Sequence, residues 1–238
     1  MNAKPQHPLI SCICITHNRP QQLLNAIINF EHQDYPHKEL VISYPKTDHL
    51  TKNLVEKVIK LSQLNIIQVE RKEEMSLGAA RNLAIIEAKG DYICTWDDDD
   101  WHHRERLTYQ MAAIQHHNIP YKASMIRRVV LYNKTANIAY LSASYNWSGT
   151  LLCDKMLIKE HPYLATNRLE DILLIKFLES KNYLHHIEDI YDLYIYVNHG
   201  RNSLDAIHFR YFTRNGPKLN PEFTQRIADN INASFEIK

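Results

Sequence analysis

The sequence predicts an α/β fold, a mostly parallel, Rossmann-like central sheet flanked by helices and continuous with a smaller second half. Short β-rich runs alternate with amphipathic helical stretches through the first hundred residues, the order that builds βαβ units. The strand-like runs are almost wholly apolar, as in strands buried on both faces rather than in one-faced hairpins. No Gly/Ser linker, internal repeat or low-complexity segment divides the 238 residues. One domain is therefore expected, with a first half over 1–101, a second half over 102–200 and a tail over 201–238.

The elements follow in order. "LISCICIT" opens the sheet. The helix after it starts near Pro20, tolerated in a first turn because its missing N–H has no partner there anyway, and Leu23, Leu24, Ile27 and Ile28 form its apolar stripe. "ELVISY" leads to a second striped helix, "LTKNLVEKVIKLS". "NIIQV" leads to a third, "SLGAARNLAIIEAKG", capped by Ser76 and ended by Gly90 in the left-handed conformation glycine allows. "DYICTW" completes a β-α-β-α-β-α-β series. Beyond Trp101 come a helix "RERLTYQMAAIQHH", β-like runs "ASMIRRVVLY" and "NIAYLS", a loop around "NWSGT", a helix "EDILLIKFLESK" and a final sheet strand "LYIYV". From Arg201 on, peripheral helices and loops are expected; "HFRYFTR" reads as an amphipathic helix packed on the domain, with contact to a membrane surface as the alternative.

Composition excludes several function classes. Lys and Arg total 28 against 27 Asp and Glu, so no global field recruits nucleic acid or an anionic membrane, and any charge-based function is local. Cys12, Cys14, Cys94 and Cys153 form no CxxC pair and read as reduced, buried thiols of a cytoplasmic protein. No apolar run approaches the ~20 residues of a membrane span.

The informative stretch is "TWDDDDW", Thr95 to Trp101, at the end of an apolar strand. In a parallel α/β sheet, ligands collect at the carboxyl ends of strands, where the next helix presents free N–H groups. Like charges about 4 Å apart repel by roughly 1 kcal/mol in water and by several times that in a protein-like dielectric, so a cation would relieve the strain. Mg²⁺ and similar hard ions commonly use one or two carboxylates plus the phosphates of a substrate. None of the five glycines forms GxGxxG or GxxxxGK[ST], which removes the usual glycine-rich phosphate loops and leaves metal bridging as the available device. Trp96 and Trp101, flanking the run, are read as packing the halves together.

Over roughly residues 8–203 the chain resembles the family 2 glycosyltransferases. The resemblance is carried by "ISCICITHNRPQQLLNAI", "LGAARNLAIIEAKGDYICTWDDDDW", "HHRERL", "SGTLL", "LEDILL" and "YVNHGRNS", in that order. It implies a GT-A fold joining a nucleotide-binding half to an acceptor-binding half, and inverting transfer of a sugar from a nucleotide donor, a UDP-sugar first. It also implies Mn²⁺ or Mg²⁺ as cofactor and a glycan or lipid-linked acceptor in polysaccharide assembly, at the inner face of a membrane with peripheral association.

Carried over by position, Asp97 would face the ribose, Asp99 would be the direct metal ligand of a DxD motif, and Asp98 and Asp100 would support them. Thr16, His17 and Arg19 would line the first loop and Arg81 would approach the nucleotide and its diphosphate. Where the family reads "DDGS" after its second strand this chain has "SYPKTD", leaving Asp48 to take the place of the base-recognising aspartate. Glu170 and Asp171 open an apolar helix, where acids gain about 0.3–1 kcal/mol from the dipole. By resemblance Asp171 is the general base and Glu170 an acceptor-binding residue. His199 would supply a metal ligand or meet the diphosphate, and Arg201 would meet phosphate. Trp147 and Gly149, with Ser148 and Thr150, would border sugar or acceptor, a core role being the alternative for Trp147.

Two other readings compete: a metal-dependent sugar nucleotidyltransferase, which ordinarily brings the glycine-rich phosphate loop this chain lacks, and a non-catalytic sugar-nucleotide scaffold, against which the paired acids at 170–171 speak.

Overall fold

A computed structural model describes residues 7–115, 119–200, 202, 206–214 and 216–233. The βαβ series is β1 (Ile10–Ile15), α1 (Pro20–Glu31), β2 (Lys38–Pro45), α2 (His49–Leu61), β3 (Ile66–Arg71), α3 (Leu77–Glu87) and β4 (Tyr92–Thr95). It continues into β5 (Trp101–His102), α4 (Arg106–Gln115), β6 (Ala123–Ile126), β7 (Val130–Asn133), β8 (Ile138–Leu141), β9 (Leu152–Asp154) and α5 (Lys155–Glu160). The remaining elements are α6 (Ile172–Ser180), β10 (Leu184–Ile187), β11 (Tyr194–Asn198), α7 (Ala206–Thr213) and α8 (Pro221–Ala233).

Seven strands form the main sheet in the order β10-β6-β9-β4-β1-β2-β3. All run parallel except β9, which is antiparallel to both β4 and β6. The carboxyl ends of β1 to β4 therefore share one edge, and the loops there carry Thr16, His17, Arg19, Asp48 and the acidic run at 97–100. Because successive side chains alternate, the central strands feed two cores. Ile10, Cys12, Cys14, Leu40, Ile42 and Cys94 pack under α1, α2 and α4, while Ile13, Val41 and Ile93 pack under α3, α5 and α6. β1 and β2 are buried nearly throughout, as strands covered on both faces must be, whereas β3 at the sheet edge is not. All four cysteines are buried and unbridged.

The structure corrects the sequence reading in several places. Besides the main sheet, a second, four-stranded sheet runs β5-β11-β7-β8, and the strand expected to close the main sheet lies in it. "ASMIRRVVLY" is two strands, one in each sheet. At the break, a bend at 127–128, Arg127 is anchored by Nε to Ser144 Oγ at 2.8 Å and by Nη1 to Asn146 Oδ1 at 2.6 Å. Gly90 does not end α3 in a left-handed turn; α3 closes at Ala88 with extended backbone. Glycine is needed at 90 for close approach instead, since a Cβ there would stand 2.5 Å from Ser11 Oγ and 2.8 Å from the Leu9 carbonyl. Finally, Glu170 and Asp171 precede α6 rather than forming its first turn. Leu169 adopts φ +57° just before them, a conformation costly for a branched side chain.

Candidate active site

The acidic run begins where β4 ends. Trp96 is fully buried, meets Phe30 edge-to-face and donates Nε1–H to the Ala26 carbonyl at 3.0 Å. With Trp96 locked into the core, the chain turns over the next four residues: Asp98 and Asp100 are buried, while Asp97 and Asp99 stay partly open.

The inward pair is hydrogen-bonded within the protein. Asp98 accepts from Thr16 Oγ1 at 2.7 Å and from Arg19 Nη1 at 3.3 Å. Burial, reinforced by the charge of Asp99, still pushes its carboxyl up to about 7. Asp100 takes the Tyr194 hydroxyl and the Val197 N–H, the latter at 2.9 Å, and burial with the Asp99 and Asp97 charges drives its pKa well above the ordinary carboxylate value. The repulsion that the sequence assigned to a cation is offset in part by these hydrogen bonds and by the Arg19 guanidinium.

The outward pair faces cations and a histidine. Asp99 Oδ2 lies 3.0 Å from Arg19 Nη1, 3.3 Å from His199 Nε2 and 3.5 Å from Asn202 Nδ2. His199 arrives on the segment after β11, which Asp100 holds at Val197. The inward aspartate therefore sets where the histidine stands opposite Asp99. Among the described residues no group of three or more His, Cys, Asp and Glu side chains is arranged to hold a metal unaided. The Asp99–His199 pair fits a cation that draws its remaining ligands from phosphate oxygens and water.

Asp97 Oδ1 is 3.4 Å from Arg81 Nη2, and Arg81 Nη1 is 2.5 Å from Glu170 Oε1. Arg81 reaches both because the 164–170 loop folds onto the start of α3, with the Gly78 N–H donating to the Thr166 carbonyl at 3.0 Å and the Leu77 N–H to Asn167 Oδ1 at 2.9 Å. Burial alone would lower the Arg81 pKa; Asp97, Tyr163, Glu170 and Asp171 outweigh it and hold the guanidinium charged. Asp171 is half-buried, caps α6 in sequence and makes no side-chain capping bond. Through Glu170 and Arg81, its turn is tied to the acidic run.

Four expectations change on this geometry. Arg81 is buried between two carboxylates and joins the halves instead of reaching out to a diphosphate. Glu170, also buried, is committed to Arg81 rather than to an acceptor. Asp48 is buried and holds the loops: it accepts from the Asn18 N–H at 2.6 Å, the Thr51 N–H at 3.0 Å and Thr51 Oγ1 at 2.6 Å, capping α2 instead of offering itself to a base. Trp147 sits in an apolar cluster with Leu131, Tyr194 and Phe212, not on a sugar-facing surface.

The other positions gather at the rim. His17 lies 2.8 Å from Glu73 Oε1, both about half exposed, and Asn18 turns the loop with φ +52°. Gly149 lies against Asp97, for a Cβ there would stand 2.9 Å from Asp97 Oδ2 and 2.8 Å from the Tyr194 hydroxyl. Arg201 lies outside the described residues. Sequence reasoning missed Arg71, whose Nη2 donates to the Thr16 carbonyl at 3.1 Å, and Asn202 beside Asp99. Arg71 was findable as the cation at the carboxyl end of an apolar strand. Asn202 lies in the same "YVNHGRNS" segment as His199, three residues on.

The chain has likenesses to known proteins in sequence and in fold. Residues 11–150 match the model of Glycosyl transferase family 2. WcaA of Escherichia coli (strain K12), whose name gives it as a colanic acid biosynthesis glycosyl transferase, is 30% identical over 135 residues, 56% of this chain and 48% of that protein. The chain thus spans about half the length of this curated relative. Among solved structures, S. aureus TarS 1–349 in complex with UDP-GlcNAc superposes with a TM-score of 0.64 at 19% identity, covering 95% of this chain and 72% of that one. The mannosyltransferase PcManGT from Pyrobaculum calidifontis, in complex with GDP-Man and Mn²⁺, gives 0.65 at 16% identity over 97% and 74%. At these identities the two structures speak for the fold, a GT-A-type α/β architecture.

Proposed function

Because the chain belongs to Glycosyl transferase family 2, we propose that it transfers a sugar with inversion from a nucleoside-diphosphate donor to a hydroxyl acceptor in polysaccharide or glycan assembly. The observation that carries this reading is the double ion pair of Arg81, which ties the acidic run at 97–100 to the turn holding Asp171. A donor grip and a separate carboxylate are what an inverting displacement requires.

The nucleotide would lie over the carboxyl ends of β1 to β4, bordered by Thr16, His17, Arg19 and the Asp48-capped loop, with Asp97 toward the ribose and Asp98 holding Thr16 and Arg19 in place. Asp99 and His199 would hold a divalent cation, and such an ion supplies Lewis-acid neutralisation of the diphosphate. Arg19, already against Asp99, is the side chain positioned to follow charge onto the leaving group. Asp171 takes the proton from the acceptor hydroxyl as its oxygen attacks the anomeric carbon from the face opposite the diphosphate. The carbon–oxygen bond to the diphosphate breaks with inversion, and the proton stays on Asp171. Arg81 keeps that carboxylate's neighbourhood fixed and charged.

Donors of both base types are candidates, since TarS is described with UDP-GlcNAc and PcManGT with GDP-Man. The acceptor, by analogy with the name of WcaA, belongs to polysaccharide assembly, a setting at the cytoplasmic face of a membrane. Among the described residues no helix is long and apolar enough to cross a membrane.

Asp171→Asn tests the reading. General-base contributions run about 10²–10⁴-fold, so the variant should lose at least that much transfer in a screen of UDP- and GDP-sugars while binding the nucleotide as wild type does. Wild-type turnover in Asp171→Asn removes the assignment.

A further inference from the structure

Directly behind the acidic run sits a guanidinium to which neither the donor grip nor the proton transfer assigns a task. Arg106, in the first turn of α4, is 0% exposed, and among the described residues it has no carboxylate within ion-pair distance. All three of its nitrogens are engaged, through four hydrogen bonds. Nε donates to Gln110 Oε1 at 3.0 Å, Nη1 meets His102 Nδ1 at 2.6 Å, and Nη2 donates to the Thr95 carbonyl at 3.0 Å and the Gly149 carbonyl at 3.1 Å. The Trp96 and Tyr194 rings each lie 5.4 Å from its central carbon. Arginine only donates, so His102 must accept at Nδ1 and carry its proton on Nε2. Burial, with Arg106 beside it, keeps that imidazole neutral.

An unpaired buried cation is costly to keep, by several kcal/mol before its hydrogen bonds and ring contacts are counted. What it grips identifies its task. Thr95 is the last residue of β4, two before Asp97. Gly149 belongs to the 148–150 turn, where a Cβ would stand 2.9 Å from Asp97 Oδ2. One nitrogen of Arg106 thus holds the two backbone carbonyls between which Asp97 is set, and Gln110 extends the clamp by donating Nε2–H to the Thr150 carbonyl at 2.7 Å. A lysine would keep the charge and lose the fork.

We infer that Arg106 is a positioning residue for donor binding: it touches neither donor nor acceptor, and by clamping Thr95 and Gly149 together it fixes Asp97 for its contact with the nucleotide. This rests on the donor reading above.

The test is a cycle of calorimetric titrations of UDP, and in parallel GDP, at saturating Mn²⁺ into wild type, Arg106→Lys, Asp97→Asn and the double variant, each checked for folding by thermal melting. Arg106→Lys is expected to weaken binding about tenfold at temperatures where it is fully folded, and Asp97→Asn to weaken it likewise. The double variant should bind no worse than the weaker single one, because both act through one carboxylate. Wild-type affinity in Arg106→Lys, with only its melting temperature lowered, overturns the inference, as do losses that multiply in the double variant or wild-type affinity in Asp97→Asn. If Arg106→Lys fails to fold, Gln110→Met, which frees Nε and leaves the guanidinium, must show the same non-additivity with Asp97→Asn at smaller size or the inference falls. Wild-type protein that binds neither nucleotide overturns the donor reading itself and this inference with it. Binding by wild type that is untouched in Arg106→Lys overturns this inference alone.

Discussion

Replacing Arg81 by methionine keeps most of the side-chain volume and removes both ion pairs. The Asp97 partner can turn to water, since its side chain is 34% exposed. The Glu170 partner cannot, because Glu170 is 7% exposed and its neighbourhood includes the backbone of the loop folded against α3. Breaking a buried pair by removing one member typically costs about 3–5 kcal/mol, chiefly by stranding the other charge. In a domain of this size 1 kcal/mol moves the midpoint by roughly 2–4 °C, so Arg81→Met should melt about 6–20 °C below wild type. Removing the stranded charge as well, in Arg81→Met/Glu170→Gln, should recover a substantial part of that loss, because no uncompensated carboxylate remains. Scanning calorimetry on the three proteins at neutral pH measures both shifts. A single variant within 2 °C of wild type, or a double variant no more stable than the single, would refute the argument that Arg81 is held between two carboxylates.

Asp48→Ala should cost about 0.5–2 kcal/mol through loss of the α2 cap, read by urea denaturation. For Asp48, burial raises the carboxyl pKa but the bonds from Thr51 and Asn18 outweigh it and hold it below its ordinary 3.8. Its ionised form therefore stabilises the fold at neutral pH, and the wild-type advantage over Asp48→Asn should shrink as pH falls below about 4; an advantage that grows there contradicts the assignment. Gly149→Ala must displace Asp97 Oδ2 or the Tyr194 hydroxyl and should weaken UDP binding with little loss of melting temperature; unchanged affinity would separate the 148–150 turn from the donor site. His199→Ala should raise the Mn²⁺ concentration needed for nucleotide binding on the order of tenfold, the scale of one lost ligand, and an unchanged requirement would remove His199 from the metal.

Much of the first half was legible because its signals are local. The unbroken apolarity of residues 39–44, Pro20 at a helix start and Ser76 as a cap each act within a few residues, and each emerges in the fold. The second half was read less well, since its strands are short and mixed in character. The edge strand "LHHI" carries two histidines, and the split at Arg127 depends on anchors at Ser144 and Asn146 that no period encodes.

At the site the sequence indicated where the carboxylates are but not what each does. The burial of Asp98 and Asp100 was not readable, because residues 98–100 form a turn whose facing no strand period sets. Nor were the commitments of Arg81 and Glu170, which stand 89 residues apart in the chain. Nothing in the local sequence around Leu169 announces a left-handed leucine that turns the acids toward α3. At Asp48 a helix cap and a base contact ask for the same residue type, and only its hydrogen-bond partners separate them.

Calorimetric titration of UDP and GDP with and without Mn²⁺, on wild type and on Asp99→Asn, bears most directly on the claim that the acidic run grips a sugar donor through a divalent ion. The account predicts nucleotide binding that requires the metal and collapses in Asp99→Asn. Binding of equal strength without metal, or undiminished in that variant, would contradict it.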